Sequence, residues 1–475
     1  MLFNSIEFFV FLPLVFFLYW ILQKQKLSLQ NGLLLVASYY FYACWDWRFL
    51  FLLMFSTGLD YLAGLMMQKA KKEANRKFWF WLTISINIGF LGVFKYYNFF
   101  VDSFANLIGN FGFQVHYTTL NIILPVGISF YTFHGLSYVI DIYKRRIKPE
   151  HNFVEYALFV SYFPLLVAGP IERATHLLPQ IKKKRNFDYH KAIQGVKQII
   201  WGLFKKVVVA DNCAFFVNQI FDNSANYSAP ELWLGSILFA FQIYGDFSGY
   251  SDIALGTSKL FGIDLLRNFN FPYFSKDIAD FWRRWHISLS TWFRDYLYIP
   301  LGGSRGSKWQ SVKNTFIIFL VSGFWHGANW TFIIWGLIHA ILFMPLLLSD
   351  SNRSSLQQVG YKLVDIFKIS STFAFVCIAW IFFRADSLKD AWIYFTGMID
   401  FSDLSYDLFI KNSKYSLLTG ICFLSIFWLL QIEWKNVKNN NYEIQLNKIQ
   451  LITLICMIFF MGAFKNQLSF IYFQF

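Results

Sequence analysis

Two histidines interrupt apolar stretches of this sequence. His326 lies within the apolar run 316–348, and His286 lies upstream of it in the segment 280–296, DFWRRWHISLSTWFRDY. An imidazole at bilayer depth costs desolvation free energy that Leu or Phe would not, so an intramembrane histidine is by default a functional-site hypothesis. A neutral imidazole titrates near physiological pH and can take a proton from an attacking hydroxyl. The pair therefore indicates acyl transfer inside a membrane.

Small and polar residues surround His326 in the segment 322–330, SGFWHGANW. Gly323 and Gly327 bracket the histidine and would let another backbone or a substrate come close. Asn329 is expected one helical turn on, where it could orient the imidazole or hydrogen-bond a reacting group. The alternative is a helix-packing histidine satisfied by a neighbouring serine or carbonyl. The second embedded histidine and the bracketing glycines favour a catalytic role.

The segment around His286 has the periodicity of an amphipathic helix over 280–296. Its charged residues fall on one side, with Asp280 and Arg284 spaced as an i,i+4 ion pair. Such a helix is expected to lie at the cytoplasmic interface with His286 facing the protein interior. The basic turn after it, 300–308, could meet a phosphate-bearing donor or be an ordinary solvated loop. The residues predicted to share the face of His286 are Trp282, Trp285, Leu289, Phe293 and Tyr296.

The remaining polar residues of the apolar runs predict structural roles. His339 is expected on nearly the opposite helix face from His326 and is interpreted as structural. Asp246 and Asp252 lie in the apolar segment 243–256, where they either line a pathway or lock the core to arginines, and locking is favoured. The sequence shows no spacing typical of a metal site, no GxSxG motif and no cysteine nucleophile motif. The five cysteines are interpreted as small buried hydrophobic residues.

The composition is that of a polytopic membrane protein. Of the 475 residues, 56% are hydrophobic and 15% are charged, whereas soluble domains carry about 25% charged residues. Apolar runs of spanning length, about 20 residues each, recur along the chain, and their continuity favours helices over a β-barrel. The net charge of +14 comes from short basic loops between these runs and does not indicate nucleic-acid binding.

The distribution of charge predicts a topology. The loops 23–29, 68–77 and 143–148 are basic, whereas 99–119 has no Lys or Arg, so five crossings with the N-terminus outside place the basic loops in the cytoplasm. The apolar stretch 153–171 has basic loops on both sides, which predicts a re-entrant hairpin; a plain span is the competing interpretation. The predicted fold class is an all-α polytopic membrane protein, with about eleven transmembrane helices plus re-entrant and interfacial helices, forming one domain over 1–475.

The sequence resembles the membrane-bound O-acyltransferase family along nearly its whole length. It is most similar to the bacterial branch with the alginate O-acetylation membrane protein and the D-alanine exporter of teichoic acids. The two histidine motifs together are the specific part of the resemblance. The segments that carry it are FWRRWHISLSTWFRDYLYIPLGGSR (281–305), SGFWHGANWTFIIWGLIH (322–339), YGDFSGYSDIALG (244–256), LVAGPIER (166–173), the start MLFNSIEFFVFLPLVF and the end FIYFQF.

The resemblance implies both an architecture and a pair of site residues. In the family, the histidine matching His326 is regarded as catalytic and the one matching His286 as its essential polar partner. Family members surround a thin core with a ring of helices, and a funnel opens on each face. The alginate-like branch passes acetyl groups to an extracytoplasmic partner enzyme that modifies an exported polysaccharide.

The function expected from the sequence is a membrane-embedded O-acetyltransferase of the bacterial inner membrane. His326 would act as general base, His286 would polarise the thioester carbonyl or relay the proton, and Asn329 would orient a reacting group. The acyl donor would be acetyl-CoA or an acyl-carrier thioester, with no tightly bound cofactor and no metal. A transporter of polysaccharide or lipid, expected to show two related halves with broken helices, and a non-catalytic scaffold of an export complex are the alternatives.

Overall fold

The computed structural model describes residues 1–113, 118–120, 122–166, 169–353, 360–410, 413–439, 443–464 and 470–471, and all regular structure in these ranges is helical. The chain divides into two compact units, Met1–Val196 with Ala254–Leu266, and Lys197–Ile253 with Arg267–Phe475. Two compact units can belong to one membrane domain, so the single domain expected over 1–475 stays a prediction. The C-terminal residues 472–475 of the family-like ending lie outside the described residues, as do 167–168 of the LVAGPIER segment.

The first unit holds the N-terminal helices. Continuous helix runs from Glu73 to Asn110 through a π-helical turn at Gly92–Tyr96, so the loop expected to begin at residue 99 begins later. The helices are α1 (Ile6–Ile21), α2 (Leu27–Ala43), α3 (Trp47–Lys69), α4 (Glu73–Leu91), α5 (Tyr97–Asn110), α6 (Ile128–Tyr143), α7 (Phe153–Ser161), α8 (Phe163–Leu166), α9 (Ala174–Lys182), the start of α10 (Tyr189–Leu203) and the end of α12 (Ala229–Leu260).

The second unit holds the segments of both histidine motifs. A π-helical turn at Phe204–Ala210 continues α10, and another at Arg294–Tyr298 follows α14. The helices wholly within this unit are α11 (Asp211–Asp222), α13 (Ile278–Arg284), α14 (Ile287–Phe293), α15 (Lys308–His326), α16 (Trp330–Leu348), α17 (Leu363–Arg384), α18 (Leu388–Met398), α19 (Asp407–Ile410), α20 (Ser413–Lys438) and α21 (Lys448–Met461).

Short polar side chains fix where several of these helices begin. The Ser5 hydroxyl accepts from the Phe8 backbone N–H at 3.3 Å ahead of α1, and the Asp46 carboxylate accepts from the Arg48 N–H at 3.0 Å ahead of α3. Such N-caps satisfy backbone donors that have no partner inside the helix. Local sequence therefore determines these helix starts.

Six helical segments in the described part of the chain are long and apolar enough to cross a membrane. Two shorter apolar segments, Phe153–Leu166 and Lys448–Met461, fall below that length. The structure thus confirms a helical membrane protein, and the larger number of about eleven crossings stays a prediction. The six segments are Ile6–Lys24, Trp47–Lys69, Glu73–Asn110, Trp330–Leu348, Leu363–Arg384 and Ser413–Lys438.

The stretch predicted to be re-entrant forms two short helices rather than one long one. The helix α7 ends at Ser161, Tyr162 adopts a non-helical backbone, and α8 covers only Phe163–Leu166. Pro164 has no N–H for the carbonyl four residues before it and its ring clashes there, so one continuous helix cannot form, and the Phe163 N–H donates to the Ser38 hydroxyl at 3.0 Å. Its helical part, Phe153–Leu166, is too short to cross the hydrocarbon core, which needs about 20 residues. Its length agrees with the re-entrant interpretation.

A buried carboxylate organises the chain after this stretch. Glu172 is fully buried, and its oxygens accept from the Leu266 N–H at 2.6 Å and contact His176 Nδ1 at 2.9 Å. The Glu172 N–H donates to His134 Nε2 at 3.0 Å. His134, for which the sequence offered no partner, therefore satisfies a buried backbone donor, as buried polar groups require.

The Glu172–His176 contact predicts a pH dependence of stability. The hydrogen bond to Glu172 raises the pKa of His176 above its ordinary value. A raised folded-state pKa stabilises the fold below the unfolded pKa of about 6.5, and this contribution is lost as pH rises through the folded pKa. We expect His176→Gln to lower the free energy of unfolding more at pH 6 than at pH 9, with a difference below about 1 kcal/mol because His176 is partly exposed and screened, and melting temperatures at the two pH values measure it. Equal losses at both pH values would contradict this assignment.

Candidate active site

His326 is the last residue of α15 and is almost completely buried. The helix ends there because Gly327 and the following residues turn away before α16 begins at Trp330. A β-carbon at Gly323 would lie 2.2 Å from the Phe332 carbonyl oxygen, and one at Gly327 would lie 2.1 Å from the Phe332 ring. Glycine is therefore required for the close packing of α15 on α16. The expectation that a glycine admits another backbone beside His326 is confirmed for Gly323, whereas Gly327 admits the Phe332 ring.

This close packing predicts the effect of adding a methyl group. We expect Gly323→Ala to push α15 from α16, at a cost of about 1–3 kcal/mol, and to lower the transfer activity proposed below by about tenfold or more through displacement of His326. Gly420→Ala is the matched control, because no atom lies within 4 Å of a β-carbon at that helical position. Transfer rates and melting temperatures of both variants in detergent are the measurement. Equal effects of the two substitutions would remove the role assigned to Gly323.

His286 lies at a break in the segment predicted to be one helix. The prediction of one helix over 280–296 is wrong. The helix α13 ends at Arg284 and α14 begins at Ile287. His286 lies between them and has a left-handed backbone with φ of 42°. Backbone hydrogen bonds join the two sides of this break to the loop that contains Asn268 and Asn270. The Ile287 N–H donates to the Asn268 carbonyl at 2.8 Å, and the Asn270 N–H donates to the Arg284 carbonyl at 2.9 Å. Such strained residues persist only where the surrounding structure holds them, and they cluster at functional sites.

The amphipathic pattern of this segment nevertheless describes part of its buried face, although Trp282 and Tyr296 are only half-buried and Asp280 is buried. Trp285 and His286 are fully buried, and Leu289 and Phe293 are nearly so. The predicted i,i+4 pair forms, with Arg284 Nε 3.0 Å from Asp280 Oδ1. The prediction that His286 faces the protein interior is therefore confirmed, although the backbone that places it there is not a continuous helix.

The two histidines face each other within a wall of aromatic rings. Their ring centroids are 6.4 Å apart. At this separation the two imidazoles cannot hydrogen-bond directly, and a reacting atom between them could be within reach of both. Aromatic side chains enclose the pair and separate it from water. The rings concerned are Trp325, Trp335 and Phe383 around His326, at 5.0, 5.1 and 5.4 Å, and Phe247 beside His286, at 4.7 Å.

Asn329 does not occupy the position that the sequence suggested. Because α15 ends at His326, Asn329 is not one helical turn along the same helix; it is the N-cap of α16. Its side-chain oxygen accepts from the Thr331 N–H at 3.1 Å, and its amide donates to the Asp386 carbonyl at 2.8 Å. The amide thus caps α16 with its oxygen and ties the turn between α15 and α16 to the loop after α17 with its nitrogen. This geometry supports a role in positioning that turn rather than in orienting the imidazole.

His339 lies on α16 as a fully buried packing residue. Its Nδ1 accepts from the Trp282 indole N–H at 3.3 Å, and its ring stacks on Phe281 at 6.2 Å with an interplanar angle of 3°. The structural role predicted for it agrees with these contacts. The helical geometry used for that prediction was wrong, since the break at 327–329 separates its helix from that of His326.

Asp246 and Asp252 of α12 form ion pairs with two lysines. Lys206 Nζ lies 2.9 Å from Asp246 Oδ1 and 2.8 Å from Asp211 Oδ1, and all three side chains are buried. Lys205 pairs with Asp252 and donates to Ser248 Oγ at 2.8 Å. Buried charges require such partners. The favoured locking role is confirmed, but the partners are lysines rather than the arginines expected.

The sequence itself carries a signal for these lysines. Lys205 and Lys206 are adjacent inside the apolar run 196–217, where cations at membrane depth are as costly as carboxylates. Two cations in one apolar run and two carboxylates in the next would have predicted the pairing. The π-helical turn at Phe204–Ala210 turns both lysines toward α12.

A largely apolar cavity of about 270 Å³ lies next to the histidine segments. Ser322 and Leu289 line it, and they are within one helical turn of His326 and His286 respectively. The two cations in its lining are Arg294 and Arg353. Pockets of this kind, apolar with a few polar groups, are typical ligand sites. The other lining residues include Trp282, Phe293, Tyr298, Ser304, Phe319, Phe343 and Leu347.

The basic turn at 300–308 contributes only its Ser304 to this cavity. Gly302 and Gly303 adopt left-handed backbones, with φ of 103° and 58°, and Asn314 Nδ2 donates to the Gly303 carbonyl at 2.9 Å. Lys308 pairs with Asp350 at 3.0 Å on the surface. Contact of this turn with a phosphate-bearing donor stays a prediction.

In the described ranges, no group of three or more His, Cys, Asp or Glu side chains is placed so that it could hold a metal ion.

The five cysteines carry free thiols, and Cys213, Cys377 and Cys422 are buried while Cys44 and Cys456 are exposed. The interpretation of the cysteines as buried residues therefore fits three of them.

A family model for the membrane-bound O-acyltransferases matches residues 144–387, which include both histidines. The chain belongs to the membrane-bound O-acyltransferase family. The family and the acyltransferase class predicted from the two motifs are thereby confirmed. The matched region also includes Asn329, the lysines of the α10 continuation and all of the cavity lining.

Curated relatives cover most of the chain. The peptidoglycan O-acetyltransferase of Helicobacter pylori is 39% identical over 437 residues, which are 85% of this chain and 81% of that protein. A Pseudomonas aeruginosa protein named probable alginate O-acetylase AlgI is 41% identical over 405 residues, 84% of this chain and 75% of that one. The teichoic acid D-alanyltransferase of Bacillus subtilis is 30% identical over 284 residues, 57% and 71% of the two chains.

Proposed function

We propose that this membrane O-acyltransferase moves an acetyl group from a cytoplasmic thioester to an acceptor hydroxyl, for the modification of an exported cell-surface polysaccharide. The observation that carries the proposal is the buried pair of His326 and His286, with ring centroids 6.4 Å apart inside an aromatic enclosure. Proton transfer by a positioned side chain and exclusion of water are what acyl transfer to an alcohol requires.

His326 is the general base in this mechanism. Its imidazole takes the proton of the acceptor hydroxyl as the oxygen attacks the thioester carbonyl, and the tetrahedral intermediate then breaks its carbon–sulfur bond. The imidazolium returns the proton to the departing thiolate, so the histidine ends the cycle neutral. His286 faces the same space and would polarise the carbonyl or relay the proton. The strained backbone of His286 fits a residue held in one orientation for this purpose.

The cavity beside the histidines supports a thioester donor with a small acyl group. Its lining is mostly apolar, and Arg294 and Arg353 provide positive charge for an anionic donor such as acetyl-CoA or an acyl-carrier prosthetic group. A volume of about 270 Å³ suits part of such a donor rather than the whole of it. No tightly bound cofactor or metal is part of this mechanism.

The names of the relatives support a class of acceptor molecule, because each name contains a polymer. Peptidoglycan, alginate and teichoic acid are named as the substrates of the three relatives described above. All three are hydroxyl-bearing polymers of the cell envelope, so the proposed acceptor is a hydroxyl of an envelope polysaccharide or of a carrier that delivers the acetyl group to it. The proposed setting is the bacterial inner membrane with the N-terminus outside, and an extracytoplasmic acetyltransferase as partner.

The test is acetyl transfer in sealed membrane vesicles that contain the protein. Labelled acetyl-CoA is supplied on the cytoplasmic side, and hydroxylamine-labile label is measured on polysaccharide and on protein. An acetyltransferase forms ester label that depends on the protein. A transporter moves polysaccharide across the vesicle without forming ester label, and a scaffold does neither. Absence of ester label in vesicles supplied with polysaccharide and the candidate partner enzyme would reject the proposal.

A further inference from the structure

A second cavity, of about 490 Å³, opens in the first unit at the ends of three helices. The helix α3 ends at Lys69, α4 begins at Glu73, and α6 ends at Tyr143 beside it. Four cationic side chains line the cavity, and no carboxylate does; they are Arg76, Arg145, Arg146 and Lys148. The acyl-transfer mechanism uses none of these residues.

The positive charge of this cavity is only partly neutralised by neighbouring carboxylates. Arg146 pairs with Asp141 at 3.1 Å, and Arg76 lies 3.7 Å from Glu73. Neither Arg145 nor Lys148 has a carboxylate within 4.0 Å in the described ranges. Two positive charges therefore remain in a concave site, where low-dielectric walls focus the field on an anion.

The backbone places a cation at a position that favours glycine. Arg145 follows the end of α6 with a φ of 57°, and its N–H donates to the Ile142 carbonyl at 2.9 Å. A left-handed residue after a helix is usually glycine, because a β-carbon is strained there. Strain of this kind is typical of sites where the side chain has a function. The guanidinium of Arg145 is thus kept at the cavity at a conformational cost.

Arg76 is held rigidly on the other side of the cavity. It is 9% exposed, its guanidinium lies 5.1 Å from the centre of the Tyr143 ring, and Nη2 donates to the carbonyls of Ile142, at 3.2 Å, and Tyr143. A guanidinium fixed in this way loses little conformational freedom when it binds an anion. Arginine also matches the geometry of a phosphate with paired N–H donors.

The position of the cavity at the ends of long apolar helices indicates the source of the anion. The helices that end there belong to two segments that are long and apolar enough to cross a membrane, Trp47–Lys69 and Glu73–Asn110. The ends of spanning helices lie at the level of the lipid headgroups. Basic pockets between such helix ends bind the phosphates of anionic lipids. We propose that this cavity binds a phosphate-bearing anion, and that the anion is the headgroup of an anionic phospholipid.

The experiment measures lipid binding to the purified full-length protein in detergent by native mass spectrometry. Phosphatidylglycerol is titrated against phosphatidylcholine, which carries a phosphate without net charge. We expect wild type to prefer phosphatidylglycerol, and Arg145→Gly combined with Lys148→Gln to weaken its binding by about tenfold or more, given about 1 kcal/mol per basic residue near a lipid surface. The matched control, Lys183→Gln with Lys184→Gln, removes two exposed charges outside the cavity and should stay within about twofold of wild type.

The Arg145→Gly change also separates lost binding from lost folding. Glycine relieves the left-handed strain, so we expect the lipid-free protein to melt at or above the wild-type temperature. A phosphatidylglycerol preference that survives in the cavity variant, or falls equally in the control, overturns the proposal. If inorganic phosphate binds with the same dependence on Arg145 and Lys148 while the two lipids bind equally, the anion site stands and its ligand is free phosphate rather than lipid.

Discussion

Replacing His326 with Gln is expected to lower acetyl transfer by about 10²–10⁴-fold, which is the range that general-base catalysis contributes. Glutamine fills a similar volume and can donate or accept a hydrogen bond, but it cannot carry the proton from the acceptor hydroxyl to the thiolate. The aromatic enclosure of Trp335 and Phe383 leaves little room for water to act instead. His326→Gln should therefore fold normally and be nearly inactive.

The measurement is label transfer from acetyl-CoA at equal amounts of folded protein, with melting temperature as the check on folding. His326→Ala supplies a second variant, because it opens a space in which added imidazole can replace the missing side chain. We expect imidazole to restore part of the activity of His326→Ala and none of that of His326→Gln. A His326→Gln protein that keeps more than about a tenth of wild-type transfer would show that His326 is not the base.

Replacing Lys206 with Met is expected to destabilise the fold by about 3–5 kcal/mol, the cost of leaving a buried charge without its partner. Lys206 neutralises Asp246 and Asp211 at 2.9 and 2.8 Å, and all three side chains are buried. Asp246 Oδ2 also accepts from the Ile471 N–H at 2.7 Å, so the lock holds the C-terminal segment as well. Most of the Lys206→Met protein should fail to reach the folded state.

Folded yield by size-exclusion chromatography and melting temperature in detergent measure this effect. A Lys206→Met protein that also carries Asp246→Asn and Asp211→Asn should recover much of the lost stability, because its buried site then contains no unpaired charge. If the triple variant is less stable than Lys206→Met alone, the loss comes from packing of the lysine stem and not from charge. Wild-type stability of Lys206→Met would contradict the lock altogether.

Local sequence predicted the helices far better than it predicted their interruptions. The apolar runs 313–328 and 330–349 each predict a spanning helix, and they correspond to α15 and α16, since Gly327 and the Asn329 cap mark the turn between them. The helix expected over 280–296 breaks at His286 although its periodicity continues across the break. At this break the Ile287 N–H donates to the Asn268 carbonyl and the Asn270 N–H donates to the Arg284 carbonyl, and the residues 280–296 by themselves do not predict these distant contacts.

The sequence by itself determined the membrane class and the family, and it predicted the two histidines as the pair on which the chemistry depends. These conclusions rest on composition, apolar run length and motif identity, which are properties of residues near one another in the chain. The tertiary structure alone decided that the two imidazole ring centroids lie 6.4 Å apart, that the Asn329 amide binds the Asp386 carbonyl, and that lysines rather than arginines hold Asp246 and Asp252. Each of these depends on contacts between residues distant in the chain, where the choice among possible partners is made by packing and by the need to satisfy buried polar groups.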